Sequence, residues 1–211
     1  MNAAIMKGME LLPQNRPPAV EECLDLLISK QAAAEANLVS SVEMDYIKLQ
    51  NLLAAKKWQE ADEETRRVML KVAGREKEGW LNEESFFNFP CEDLRTIDQL
   101  WVKYSNGRFG FRVQKRIYQS LGGTVDSDTE VWREFGEKVG WIKNGKWLCY
   151  NDLAFSEKAP EAHLPVVYDV DVTEDVWGGP SVYTGYGYSM TTMDIELVNS
   201  SLASRLDECS I

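Results

Sequence analysis

The sequence predicts an all-α protein: a compact helical domain over residues 39–167, a helical segment over 1–38 before it, and a flexible acidic tail over 168–211. Three observations carry that reading. Apolar residues recur at helical spacing in successive segments. Gly74, Pro90 and the Asn106-Gly107 pair fall between those segments, where breaks are needed. Strand-like patterning is confined to the surroundings of Asn144-Gly145, which suit one small hairpin.

Taken in order, YIKLQNLLAAKK reads as the first helix of the domain. WQEADEETRRVMLKVAG is the second, with Trp58, Ala61, Thr65, Val68, Met69 and Val72 on one face and Gly74 as its stop. WLNEESFFNFP is expected to be an aromatic loop, closed by Pro90. Asp93 is the expected cap of a third helix, LRTIDQLWVKYS, in which Leu94, Ile97, Trp101 and Tyr104 share a face. The chain turns at Asn106-Gly107, continues as the helix VQKRIYQSL, and reaches a last short helix, VWREFGEKVG. An aromatic, turn-rich segment follows, WIKNGKWLCYNDLAFSEKAPEAHLP. Ahead of the domain, VEECLDLLIS places Val20, Cys23, Leu24 and Leu27 on one helical face. Beyond it, GGPSVYTGYGYSMTT is rich in Gly, Ser and Thr and reads as a mobile extension, ending in a short helix at DIELVNSSLASRL.

Composition narrows the function. The 211 residues carry a formal net charge of −11. From Val166 onward there are eight acidic residues against the single basic Arg205, a net of −7, so the domain itself is only mildly acidic. That balance makes nucleic acid a poor partner. No run approaches the roughly 18 apolar residues of a membrane helix, and the first residues lack the pattern of a secretory signal, so a cytoplasmic protein is expected. Cys23, Cys91, Cys149 and Cys209 are widely spaced and form no CxxC pair, which fits reduced, incidental thiols better than a zinc site.

Catalysis finds little support. The single histidine, His163, rules out His-based metal clusters and suits a structural role. The carboxylates of EADEE lie on a helix and read as a solvated face. DVDVTED begins like a calcium loop but has Glu174 and Pro180 where glycine and glutamate are needed. NGRFG lacks the lysine of a phosphate-binding loop and follows a helix, not a strand. Base stacking on Phe109 and Phe111, with Arg108, Arg112, Lys115 and Arg116 nearby, is physically possible but opposed by the charge. The plainer reading has the two phenylalanines in a core and the basic residues facing water.

Two resemblances add to this. GMELLPQNRPPAVEECLDLL resembles the end of a Ser/Thr protein kinase domain, with a Pro-x-x-Arg-Pro turn before an apolar helix. His-Arg-Asp and Asp-Phe-Gly occur nowhere in the chain, so no kinase activity follows. Between about Asp45 and Pro165, WQEADEETRRVMLKVAG, FFNFPCEDLRTIDQLWVKYSNGRFGFRVQKRIY, VGWIKNGKWL and APEAHLP follow in an order that closely resembles the genomes uncoupled four family. Members of that family are porphyrin-binding activators of magnesium chelatase in oxygenic phototrophs.

The second resemblance implies a helical domain shaped like a cupped hand. It would hold protoporphyrin IX or magnesium protoporphyrin IX in an open groove between two loops and stimulate magnesium insertion without performing it. No catalytic residue, metal site or required cofactor is then expected. A tetrapyrrole is the expected ligand, a magnesium chelatase subunit a partner, and a location peripheral to photosynthetic membranes is implied. The ligand would meet Trp80, Leu81, Phe86 and Phe87 on one loop and Trp147, Tyr150, Leu153 and Phe155 on the other. A flat macrocycle needs such walls, with basic groups at the rim for its propionates. The stretch from Tyr104 to Tyr118 becomes scaffold: Asn106 and Gly107 turn the chain, Gly110 permits close approach, and Phe109 and Phe111 anchor two helices.

Three features depart from the family. Arg112 stands where members carry serine, Asn82-Glu83-Glu84 makes the first loop acidic, and YDVDVTEDVWGGP replaces an arginine-bearing extension after His-Leu-Pro. Acid near the groove repels propionates. Weaker porphyrin affinity, a linear bilin as ligand, or an interaction and signalling module derived from a kinase fusion are the alternatives this leaves.

Overall fold

The computed structural model describes residues 38–124, 129–166, 171–174, 180–183, 189–191 and 201–211. The chain divides into two compact units, Met1–Val39 and Ser40–Ile211. The kinase-like segment and Cys23 lie outside the described residues, as does most of the stretch from 167 to 200.

Among its described residues the second unit has the helices α1 (Ile47–Ala54), α2 (Trp58–Val72), α3 (Glu83–Phe87), α4 (Cys91–Tyr104), α5 (Phe111–Ser120) and α6 (Thr129–Val139). Residues 201–208 form a further helical stretch, α7. Helix α1 packs against α2 and α4, and α5 packs against α4 and α6. The six apolar-stripe positions of α2 are all buried. At the centre Trp58 stacks on Trp101 with 6.0 Å between ring centroids, and Phe109 meets Trp58 edge-on at 5.3 Å. The Trp101 indole N–H donates to Thr65 Oγ1 at 2.9 Å, and that hydroxyl donates to the Ala61 carbonyl at 2.8 Å. The one polar atom of a large buried ring is thereby satisfied, as burial requires.

The stretch between α4 and α5 turns with Asn106 and Gly107 both at positive φ. Gly110 follows at φ +126°, where a Cβ would stand 2.8 Å from Val102 Cγ2 and 3.1 Å from Asp98 Oδ1. Only glycine fits that conformation and that space.

Several sequence expectations change. WLNEESFFNFP is not all loop: Asn82 Oδ1 accepts from the Ser85 N–H at 3.0 Å in a capping box that starts α3. Glu83 and Glu84 occupy its first turn, where carboxylates complement the helix dipole. Asp93 does not cap α4, whose N-cap is Pro90. It lies within the first turn, fully buried, and accepts from Ser40 Oγ at 2.5 Å, Ser41 N–H at 2.9 Å and Tyr46 Oη at 2.6 Å. Burial and that carboxylate push the Tyr46 phenol far above its ordinary pKa. The expected hairpin forms, Ile142–Lys143 (β1) against Lys146–Trp147 (β2). Strands Asp171–Glu174 (β3), Pro180–Tyr183 (β4) and Ser189–Thr191 (β5) make a second, antiparallel sheet in the order β3-β4-β5. Each is only three or four residues long, too short for alternation to register in the sequence.

The cysteine expectation is also corrected, because Cys91 and Cys209 are joined by a disulfide across 118 residues. The end of the tail is accordingly part of the body. Leu202, Leu206 and Cys209 are buried, and Arg205 donates to the Phe89 carbonyl at 2.9 Å.

Candidate functional site

The two loops expected to meet a ligand are both tied to α2. Arg66 donates to the Gly79 carbonyl at 3.3 Å, holding the first loop just before Trp80. One turn earlier, Asp62 accepts from the Tyr150 hydroxyl at 2.9 Å and from the Val166 N–H at 2.6 Å, holding the second loop near its start and at its end. Residues four apart on a helix share a face, so both loops are fastened to one side of α2.

Asp62 and Glu64 correct the expected solvated face of EADEE, being 1% and 3% exposed. Burial pushes the Asp62 carboxyl up to about 7, against the lowering effect of the Val166 and Tyr150 hydrogen bonds. Burial acts on Glu64 too, but hydrogen bonds from Arg67 and Lys48 outweigh it and hold that carboxyl below its ordinary range. Arg67 reaches Glu64 at 2.6 Å, as does Lys48. Beside the first loop, Glu63, Arg66, Arg67, Leu70 and Glu76 line a cleft of about 320 Å³.

In the first loop Trp80 is half-buried, with the Arg75 guanidinium 4.9 Å from its ring centroid. Leu81 is buried, Phe86 is 0% exposed and Phe87 is 44% exposed. Helix α3 turns the first phenylalanine into the core and the second outward, so Phe86 supports the loop from behind. In the second loop Trp147 is half-buried and stacks on Trp132 at 5.8 Å, over Gly136, where a Cβ would stand 2.8 Å from its ring. Its indole N–H is buried without a hydrogen-bond partner. Tyr150 and Phe155 are half-buried with ring centroids 5.1 Å apart, and Leu153 is buried.

His163 stitches the second loop to itself and to the end of α6. Its Nδ1 lies 2.6 Å from the Val139 carbonyl, and Nε2 accepts from the Ala154 N–H at 3.0 Å. Burial lowers its pKa, which fits a neutral ring donating through Nδ1.

The basic stretch Tyr104–Tyr118 turns out to hold the far end of that loop. Gly110 N–H donates to the Leu164 carbonyl at 3.0 Å, and Gln114 Nε2 donates to the Ala162 and Pro165 carbonyls at 3.1 and 2.8 Å. Its basic residues do not simply face water. Arg108 donates to the Ala159 carbonyl at 2.9 Å, Arg112 pairs with the buried Asp98, Lys115 pairs with Asp207 at 2.5 Å, and Arg116 pairs with Glu161. Arg112, the departure from the family's serine, thus has a carboxylate waiting in α4. Among the described residues no group of His, Cys, Asp and Glu is placed to hold a metal ion, and no helix is long and apolar enough to cross a membrane.

A helical domain with two aromatic loops fastened to one helix defines the class, and comparison with known proteins supplies the family. The sequence pattern described as GUN4-like matches residues 39–177. This chain belongs to that family. It is 33% identical over 157 residues to the Ycf53-like protein of Synechocystis, covering 72% of this chain and 64% of that protein. It is 34% identical over 130 residues to the chloroplastic tetrapyrrole-binding protein of Arabidopsis thaliana, covering 56% of this chain and 46% of that protein. The chain therefore spans less than two thirds of either relative. The solved structure of GUN4 from Chlamydomonas reinhardtii superposes with a TM-score of 0.52 at 30% identity, over 61% of this chain and 84% of that one.

Proposed function

We propose that this chain is a non-catalytic tetrapyrrole-binding regulatory protein, similar in role to activators of magnesium chelatase. The observation that carries the reading is the double fastening of α2, through Asp62 to the second loop and through Arg66 to the first. Family membership and the name of the Arabidopsis relative support the ligand class. The ligand-facing surface is Trp80 and Phe87 on one side and Trp147, Tyr150 and Phe155 on the other, with Leu81, Phe86 and Leu153 as their backing. Aromatic faces suit a flat macrocycle, and the guanidinium groups of Arg66 and Arg75 suit its propionates. Protoporphyrin IX, magnesium protoporphyrin IX and a bilin are the candidate ligands, and a magnesium chelatase subunit is the candidate partner.

Titration with protoporphyrin IX, magnesium protoporphyrin IX and biliverdin, followed by tryptophan quenching, tests the reading, because Trp80 and Trp147 lie in the two loops. Saturable quenching with at least one of the three is expected. Absence of saturation with all three overturns it.

A further inference from the structure

We propose that residues 201–211 are a thiol-latched strap over an apolar groove between α5 and α6, released when the Cys91–Cys209 disulfide is reduced. The groove is walled by Phe111, Tyr118, Trp132 and Phe135, with Lys115 at its edge, and Leu202 and Leu206 of α7 fill it. These leucines are four residues apart, so both point from one face of the strap into the groove. Only about 20 Å³ of space remains between strap and body. The polar contacts are few and lie at the margins. Lys115 holds Asp207 and donates to the Ile211 backbone carbonyl at 2.6 Å, Arg95 donates to the Cys209 carbonyl at 2.7 Å, and Arg205 of the strap donates to the Phe89 carbonyl at 2.9 Å.

The bridge sits where it controls this contact. Cys209 is buried at the end of the strap, while Cys91 is the first residue of α4 and is half-buried. Two leucines, one ion pair and a few hydrogen bonds to backbone carbonyls are a small anchor for the helical residues 201–208. The covalent link supplies the rest by keeping the strap at high effective concentration.

Release requires a dithiol reductant. Its thiolate attacks Sγ of Cys91, the S–S bond breaks, and Cys209 leaves as a thiolate that takes up a proton. The reductant's second thiolate then attacks the mixed disulfide, Cys91 leaves and is protonated, and the reductant ends as a disulfide. Two electrons and two protons have passed to the protein. The exposed groove then presents an aromatic surface including Trp132, whose indole N–H is buried without a partner while the strap is down.

Hydrogen exchange read by mass spectrometry on the full chain tests this, comparing oxidised protein, dithiothreitol-reduced protein and a Cys209→Ser variant. The oxidised form should be lighter than the reduced form by two hydrogens, with the Cys91 and Cys209 peptides linked. Amides of 201–211 should exchange about tenfold faster or more in the reduced form and in the variant, while those of α2 and α4 keep their protection. Finding the linked peptide absent from oxidised protein overturns the proposal. So does equal protection of 201–211 in all three samples.

Discussion

Replacing Asp62 with asparagine isolates the buried carboxyl that ties the second loop to α2. The amide keeps the geometry, since its oxygen can accept from the Val166 N–H and its NH2 can donate to the Tyr150 oxygen, but it cannot ionise. Burial raises the wild-type carboxyl from 3.8 to about 7. A carboxyl whose pKa is higher in the folded state binds its proton more tightly there. Its stabilising contribution is therefore complete at low pH and is lost as pH rises from about 4 through 7. At about 1.4 kcal/mol per pH unit, the wild type should lose roughly 4 kcal/mol relative to Asp62→Asn over that window. Urea unfolding of both proteins at several pH values between 4.5 and 8 measures the difference, in which other titrations cancel. The asparagine variant should gain steadily on the wild type up to about pH 7 and then level off. A difference that stays constant across the range would refute the assignment.

Three further substitutions probe neighbouring contacts. Tyr150→Phe removes a donor from Asp62 and should cost about 1–2 kcal/mol in unfolding free energy while raising the Asp62 pKa further; a neutral change would show that the hydrogen bond contributes nothing. Gly110→Ala forces a Cβ against Val102 and Asp98 at positive φ and should cost roughly 3 kcal/mol by chemical denaturation. Trp101→Phe removes the donor to Thr65 Oγ1, which keeps its own bond to the Ala61 carbonyl, and opens space beside Trp58 and Phe109, with an expected loss of about 2 kcal/mol and a lower melting midpoint.

What the sequence shows of this protein follows how locally each feature is determined. The apolar stripe of α2, the turn at Asn106-Gly107 and the hairpin at Asn144-Gly145 depend on neighbouring residues, and spacing or turn chemistry reveals them. Asp62 is different. Its partners lie 88 and 104 residues away, so nothing near EADEE distinguishes a buried latch from a solvated carboxylate. The Cys91–Cys209 bridge spans 118 residues and is invisible for the same reason. At the candidate site, adjacent Phe86 and Phe87 look alike as letters. Only the capping box at Asn82 and Ser85 starts α3 and fixes which ring enters the core. The basic run at Arg108–Arg116 reads as a solvated face because the acceptors it meets, among them Asp98, Asp207, Glu161 and the Ala159 carbonyl, come from other elements.

Equilibrium titration of the full chain with protoporphyrin IX, beside a Phe87→Ser, Phe155→Ser double variant, confronts the ligand site most directly. Both side chains are at least partly exposed, so the double variant should unfold at nearly the same temperature as the wild type. The wild type should bind at one saturable site, and the double variant should bind about tenfold more weakly or worse, having lost an aromatic wall on each loop. Equal affinity in the two proteins, or no saturable binding by the wild type, would contradict a tetrapyrrole site between these loops.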